Sequence, residues 1–248
     1  AIVLLNAITG EINVMASHPY YNPETIIEDW SNLTNDPNSP LINRVTQGAY
    51  PLGSAGNIIL LSSLLSDPGK SISGFALTNQ MDSFCYEGIK AANSGINTIK
   101  FGCQKSYQEL AGLLSPKNFL STMDSMLLFS APAFILPVPQ PPEKPDMIND
   151  IPKFLNGDTG FYVSPIQMAL ITASFTNDGI IPKPVLVNSY LDVNGNWLAF
   201  PHDLKSVQTV PDYASNQIID FLADESKPIW FSIGHVLNDN EEGITWYL

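Results

Sequence analysis

The chain has 248 residues, 44% of them hydrophobic, which is enough for one large domain with a proper core or for two small ones. A net charge of −13 argues against nucleic acid and anionic membrane surfaces as partners. No run of about 18 apolar residues provides a transmembrane helix, and no signal peptide is visible.

Residues 1–7 (AIVLLNA) form an apolar run of strand length, Thr9-Gly10 makes a turn, and 11–17 (EINVMAS) alternates polar and apolar. This predicts a β-hairpin that begins at once, as in a piece of a longer protein. Residues 18–40, rich in Pro, Asn and Asp, read as an irregular connection. Ser54 is placed to N-cap a helix over 54–65, and the run IILLSSLL predicts burial on most sides. Helices are also expected over 106–114 and 116–128. The segment PVPQPPEKP at 137–145 lacks too many backbone donors for regular structure. The clearest helix is 164–177, with Ser164 as cap, Pro165 in the first turn and Gly179 past its end. The runs 185–191 and 197–200 flank a turn at 192–196 and predict a second hairpin. A helix over 215–223 follows, and then two strands, 227–237 and 243–248, joined by a polar turn at 238–242. The order suggests an α/β (α+β) domain with a central antiparallel sheet, which the first hairpin and the last strands could share.

The three histidines are scattered, and neither they nor the two cysteines have metal-ligand spacing, so no cofactor or metal is expected. Cys85 and Cys103 either form a disulfide suited to an extracytoplasmic protein or remain two thiols.

Three blocks stand out: AIVLLNAITGEINVMASHPYYNP at 1–23, NRVTQGAYPLGSAGNI at 43–58 and GDTGFYVSPIQMALITASFTNDGIIPKPVLV at 157–187. Their order and spacing resemble the transpeptidase domain of penicillin-binding proteins, over nearly the whole chain. The resemblance implies a single domain over 1–248 with that family's fold, flanked by helices. It also implies serine chemistry on D-Ala-D-Ala peptides or β-lactams through S-x-x-K, S-x-N and K-T-G motifs. In the family another edge strand and a C-terminal helix follow the strand that here ends in Trp246-Tyr247. With Leu248 last here, a bare sheet edge and self-association are expected.

All three motifs depart from the pattern. Ser54 holds the nucleophile position, but Asn57 stands where the lysine belongs. A carboxamide is not a base near neutral pH, and losing such a group costs a factor of roughly 10² to 10⁴. Ser54 then reads as a helix cap. The register of the helix carrying Tyr107 puts Gly102, Cys103 and Gln104 over S-x-N. Counting back from Trp246-Tyr247 puts Ser232, Ile233, Gly234 and His235 over K-T-G-T. Cys103 reads as structural, Lys105 as a surface charge and His235 as a polar group at the cleft.

The pattern implies a pseudoenzyme: a catalytically impaired or inactive domain, bacterial and extracytoplasmic, membrane-anchored through a segment not in this chain. Its role would be that of a scaffold, a regulator or a binder of peptidoglycan stem peptides near cell-wall synthesis. One alternative is a residual transpeptidase acylated at Ser54 with His235 or Lys105 as substitute base. Another is an interaction module unrelated to the cell wall.

Overall fold

The computed structural model describes residues 1–67, 69–72, 95–201, 206–224, 227–237 and 243–248, without the side chains of 95–97 and 237. Cys85 and the turn expected at 238–242 lie outside the described residues.

The chain opens as expected, with β1 (Ile2–Leu5) antiparallel to β2 (Ile12–Ala16) and Ile2 opposite Ala16. Asn6 Oδ1 accepts the Ile8 and Thr9 amides at 2.9 and 3.0 Å, which shapes the turn between them. Residues 18–40 are irregular except for the short helix α1 (Trp30–Asn35), which the turn-forming composition conceals.

The middle of the chain builds the core. A 3₁₀ turn (Gly53–Gly56) leads into α2 (Asn57–Leu65), and all nine residues of α2 are buried. Then come α3 (Gly95–Lys100), α4 (Gln104–Gly112), α5 (Pro116–Ser125), α6 (Ile151–Leu155) and α7 (Pro165–Phe175). Helix α2 packs against α4, α5 and α8 (Asp212–Leu222), which explains its unbroken apolarity. Each large apolar side chain buried there contributes about 1.5–3 kcal/mol. Ser54 does not cap α2. Gly56 occupies the N-cap position without a side-chain bond, because an extra 3₁₀ turn intervenes.

Helix α7 is built as the sequence predicts. Ser164 Oγ accepts the Gln167 amide at 3.4 Å, Pro165 fills the first turn, and Gly179 donates to Ser174 C=O at 2.8 Å with a φ of +80°. The Gln167 side chain reaches the carbonyls of Leu127, Leu128 and Ser130 at 3.2–3.4 Å and ties α7 to the end of α5.

The remaining strands are β3 (Ile180–Ile181), β4 (Ser189–Leu191), β5 (Trp197–Ala199), β6 (Val207–Gln208), β7 (Ile233–Leu237) and β8 (Gly243–Tyr247). The hairpin around 192–196 forms as β4–β5, although Val185 instead bridges to Glu11. Only the end of the run 227–237 becomes strand, as β7. Among the described residues the strands pair as four separate two-stranded sheets, β1–β2, β3–β6, β4–β5 and β7–β8. The first hairpin and the last strands therefore do not share a sheet. A groove of about 790 Å³, lined by β1, α7 and β8, separates them. Its apolar lining includes Ile2 and Leu4, which are well exposed.

Candidate active site

Ser54 sits where several long-range contacts converge. The residues just before it are fixed by main-chain bonds: Tyr50 and Val163 exchange bonds at 2.9 Å, and Leu52 donates to Leu155 C=O at 3.0 Å. From the other side β8 leans on this segment. Trp246 Nε1 donates to Pro51 C=O at 2.9 Å, and its ring meets Tyr50 edge-on at 6.2 Å.

The approach of β7 to the 3₁₀ turn depends on two glycines. A Cβ at Gly53, which has a φ of +51°, would stand 2.2 Å from His235 C=O. A Cβ at Gly234 would stand 2.1 Å from the Ala55 nitrogen. With neither present, the His235 N–H reaches Ser54 Oγ and donates at 2.8 Å, and the serine hydroxyl lies 3.5 Å from the His235 carbonyl. Ser54 is 4% exposed. Its hydroxyl thus serves as an acceptor for the neighbouring strand, a different use from helix capping.

The second motif region closes on the same atom. Gly102 has a φ of +65°, and a Cβ there would meet Ser54 Oγ at 2.6 Å and Ile233 C=O at 2.5 Å. A side chain at this position would need the turn to withdraw. Gln104 lines the same cleft from the start of α4. Cys103 is fully buried and disulfide-bonded, so it offers no thiol, and its expected partner Cys85 lies outside the described residues.

Asn57 is fully buried. Its N–H donates to the Ser54 carbonyl, and its Nδ2 donates to Ile99 C=O at 3.3 Å. Its Oδ1 has no hydrogen-bond partner among the described residues. A neutral amide therefore occupies the place one turn beyond the serine, committed to main chain.

Of the third motif, Gly234 and His235 reach the site and Ser232 does not. Ser232 is fully buried and exchanges main-chain bonds with Leu248 at 3.1 and 2.9 Å, on the β8 side. The His235 imidazole lies in the cleft wall, with Nδ1 3.3 Å from Thr245 Oγ1. Burial holds its pKa below the usual histidine value, so the ring is neutral at neutral pH.

The cleft encloses about 120 Å³ between Ser54, Gly102, Gln104, Tyr107, Asn156, His235 and Val236. Among the described residues no Lys, Arg, Asp or Glu lines it. Lys105 is not part of the wall, and Lys100 is engaged elsewhere, donating to Ala223 C=O near the face of Phe231. Sequence reading missed Asn156 and Val236 as wall residues and noted Tyr107 only as a helix aromatic. Asn156 carried one signal, standing directly before the block at 157–187. Tyr107 donates to Pro152 C=O at 3.1 Å. Burial first, then Asp150 and Asp158, push its hydroxyl pKa up, so it stays protonated. No group of side chains among the described residues could hold a metal.

Comparison with known proteins places this geometry. No protein-family model matches the chain. It is 27% identical over 212 residues to a peptidoglycan D,D-transpeptidase, PbpA of Mycolicibacterium smegmatis, covering 76% of this chain and 43% of that protein. Among solved structures, the D,D-transpeptidase domain of a peptidoglycan glycosyltransferase from Eggerthella lenta superposes with a TM-score of 0.78 at 19% identity, covering 99% of this chain and 68% of that one. Penicillin-binding protein A of M. tuberculosis, as its imipenem acyl-enzyme complex, gives 0.74 at 20% identity, covering 99% and 64%. The chain spans less than half the length of the curated relatives it matches. The resemblance carried by the three sequence blocks is borne out, and so is the fold it implied.

Proposed function

We propose that this chain, which carries the transpeptidase fold of the penicillin-binding proteins, is a catalytically impaired or inactive form of that domain. It acts as a scaffold, a regulator or a binder of peptidoglycan stem peptides beside cell-wall synthesis. Residues 1–248 form one domain, in keeping with a shared core that runs from Val45 to Trp246. It works outside the cytoplasmic membrane, where peptidoglycan is made, and is anchored in the full-length protein. Among the described residues no helix is long and apolar enough to cross a membrane.

The observation that carries this reading is Asn57. A serine nucleophile needs a neighbouring base to take its proton. The residue one turn beyond Ser54 is a buried amide held by Ile99 C=O, and the hydrogen bonds of Ser54 Oγ run to the main chain of His235. Gly102 and Gln104, which stand for the second motif, have no group that titrates. The His235 N–H still points at Ser54, so a carbonyl oxygen placed there would meet one donor without being attacked at a useful rate.

The test is intact-protein mass spectrometry after incubation with a reactive penicillin, with Ser54→Ala as control. The expected result is no adduct after long incubation. An adduct that disappears in Ser54→Ala would overturn the reading.

One observation favours a residual enzyme. His235 is a neutral imidazole in the same cleft, able to accept a proton. On that reading Ser54 is acylated slowly and His235→Gln slows it further, whereas Lys105→Ala, outside the cleft wall, has little effect.

A further inference from the structure

A cleft of about 120 Å³ is small for its kind. Sites that take small molecules enclose about 300–1,000 Å³. Ser54 is nonetheless flanked by the elements of an acyl-transfer site, so the question is what seals it. The answer lies in residues 98–103. The Gly102 amide donates to Ile99 C=O at 3.1 Å, and the Cys103 amide donates to Thr98 C=O at 2.8 Å. These bonds close the C-terminal turn of α3 with Gly102 in a left-handed conformation, and they set Gly102 so near Ser54 that a Cβ there would stand 2.6 Å from Ser54 Oγ. The same Ile99 carbonyl accepts the second bond from Asn57 Nδ2 at 3.3 Å. Asn57 thus stands at the base of the turn that covers the serine three residues before it.

The geometry points to an autoinhibitory latch: Asn57 holds the Ile99–Gly102 turn on α2, and the turn seals Ser54 until it swings away. Asn57 is then a positioning residue that keeps the cleft shut, as well as a missing base. Withdrawal of the turn would uncover the Ser54 hydroxyl and the His235 N–H together, opening a pocket for the carbonyl of a peptide or β-lactam. The inference rests on the reading of Ser54 as a retained but silent transpeptidase site.

The test separates access from reactivity. Ser54→Cys places a thiol under the latch in the full chain, and Cys103, held in its disulfide, does not compete with it. Its alkylation by iodoacetamide is followed together with hydrogen exchange at the Gly102 and His235 amides. With Asn57 in place, alkylation should be slow. Asn57→Leu should speed it by about two- to tenfold, the effect of one lost buried hydrogen bond on a local opening equilibrium. Gly102→Ala should act in the same direction by pushing the turn outward. Ser62→Ala removes a buried hydroxyl bonded to Ile58 C=O at 2.7 Å, elsewhere on the same helix. It should leave alkylation slow, which separates the latch from general loosening.

Alkylation of Ser54→Cys at the rate of a free thiol, or no change in rate and exchange in Asn57→Leu and Gly102→Ala, would overturn the latch. Should those variants fail to fold, the unaltered protein decides. Exchange of the Gly102 amide well before α2 supports a latch, and exchange only with global unfolding sinks it. A penicillin adduct on the unaltered chain would defeat the impaired-enzyme reading and leave the latch to the alkylation rates.

Discussion

Helix α7 and the Ser54 cleft are both built from sequence blocks that match the transpeptidase pattern, yet they have fared differently. In α7 each patterned residue performs the local task it suggests: Ser164 caps, Pro165 starts, and Gly179 closes. In the cleft the glycines govern backbone approach, while the positions aligned with the family's proton-moving groups hold Asn57, Gly102 and Gln104. The difference separates two kinds of constraint. A glycine whose Cβ would overlap a neighbouring backbone atom cannot change without moving a strand. A lysine can become asparagine if the new amide finds a carbonyl, as Asn57 finds Ile99. Fold and chemistry thus rest on different kinds of constraint.

The comparison can be broken most sharply at Gly234. Gly234→Ala would put a Cβ 2.1 Å from the Ala55 nitrogen, and the expected loss exceeds about 3 kcal/mol, or abolishes folding, in a urea titration. A tolerated alanine would show that the β7 contact is loose and that steric need does not explain the glycine. A smaller effect is expected at Ser54 itself. Ser54→Ala leaves the His235 N–H without its acceptor, at a cost of about 1–2 kcal/mol by the same titration. A stabilised Ser54→Ala would mean that the serine is strained, as in a working site. Ser164→Ala, the cap of α7, should lose about 1 kcal/mol, which sets the scale for a serine with a purely structural task.

The smallest effect concerns pH. The folded state holds the His235 pKa below its unfolded value near 6.5, so the unfolded chain binds more protons as pH falls. The contribution of His235 to stability is therefore complete above about pH 6.5 and is lost as pH falls through the folded pKa. Melting temperature measured downward from pH 7 should fall less steeply in His235→Gln than in the unaltered chain. Equal slopes would show that His235 remains as solvated in the fold as out of it.

Much of the secondary structure was legible because its causes are local. A cap, a proline and a terminal glycine lie within one helix, and the 192–196 turn lies between the strands that it joins. The register against the known pattern also set Gly102 and Gln104 near Ser54, and both line the cleft. Harder to read were the purposes of those residues. Ser54 looked like a helix cap because the cap pattern is local, whereas its real partner, His235, is 181 residues away. Asn156 and Val236 enter the wall through the packing of α6 and β7, for which the sequence holds no periodic sign.

By itself the sequence determined the hairpins, the buried helix α2, the α7 block and the asparagine three residues beyond the serine. These follow from side-chain chemistry and short-range spacing. Tertiary structure alone decided that the first and last hairpins stand apart across a groove, that Gly102 rests on Ser54, and that Asn57 holds the turn above it. Such contacts depend on how closely backbones approach after the core has packed, and that distance is a property of the assembled layers.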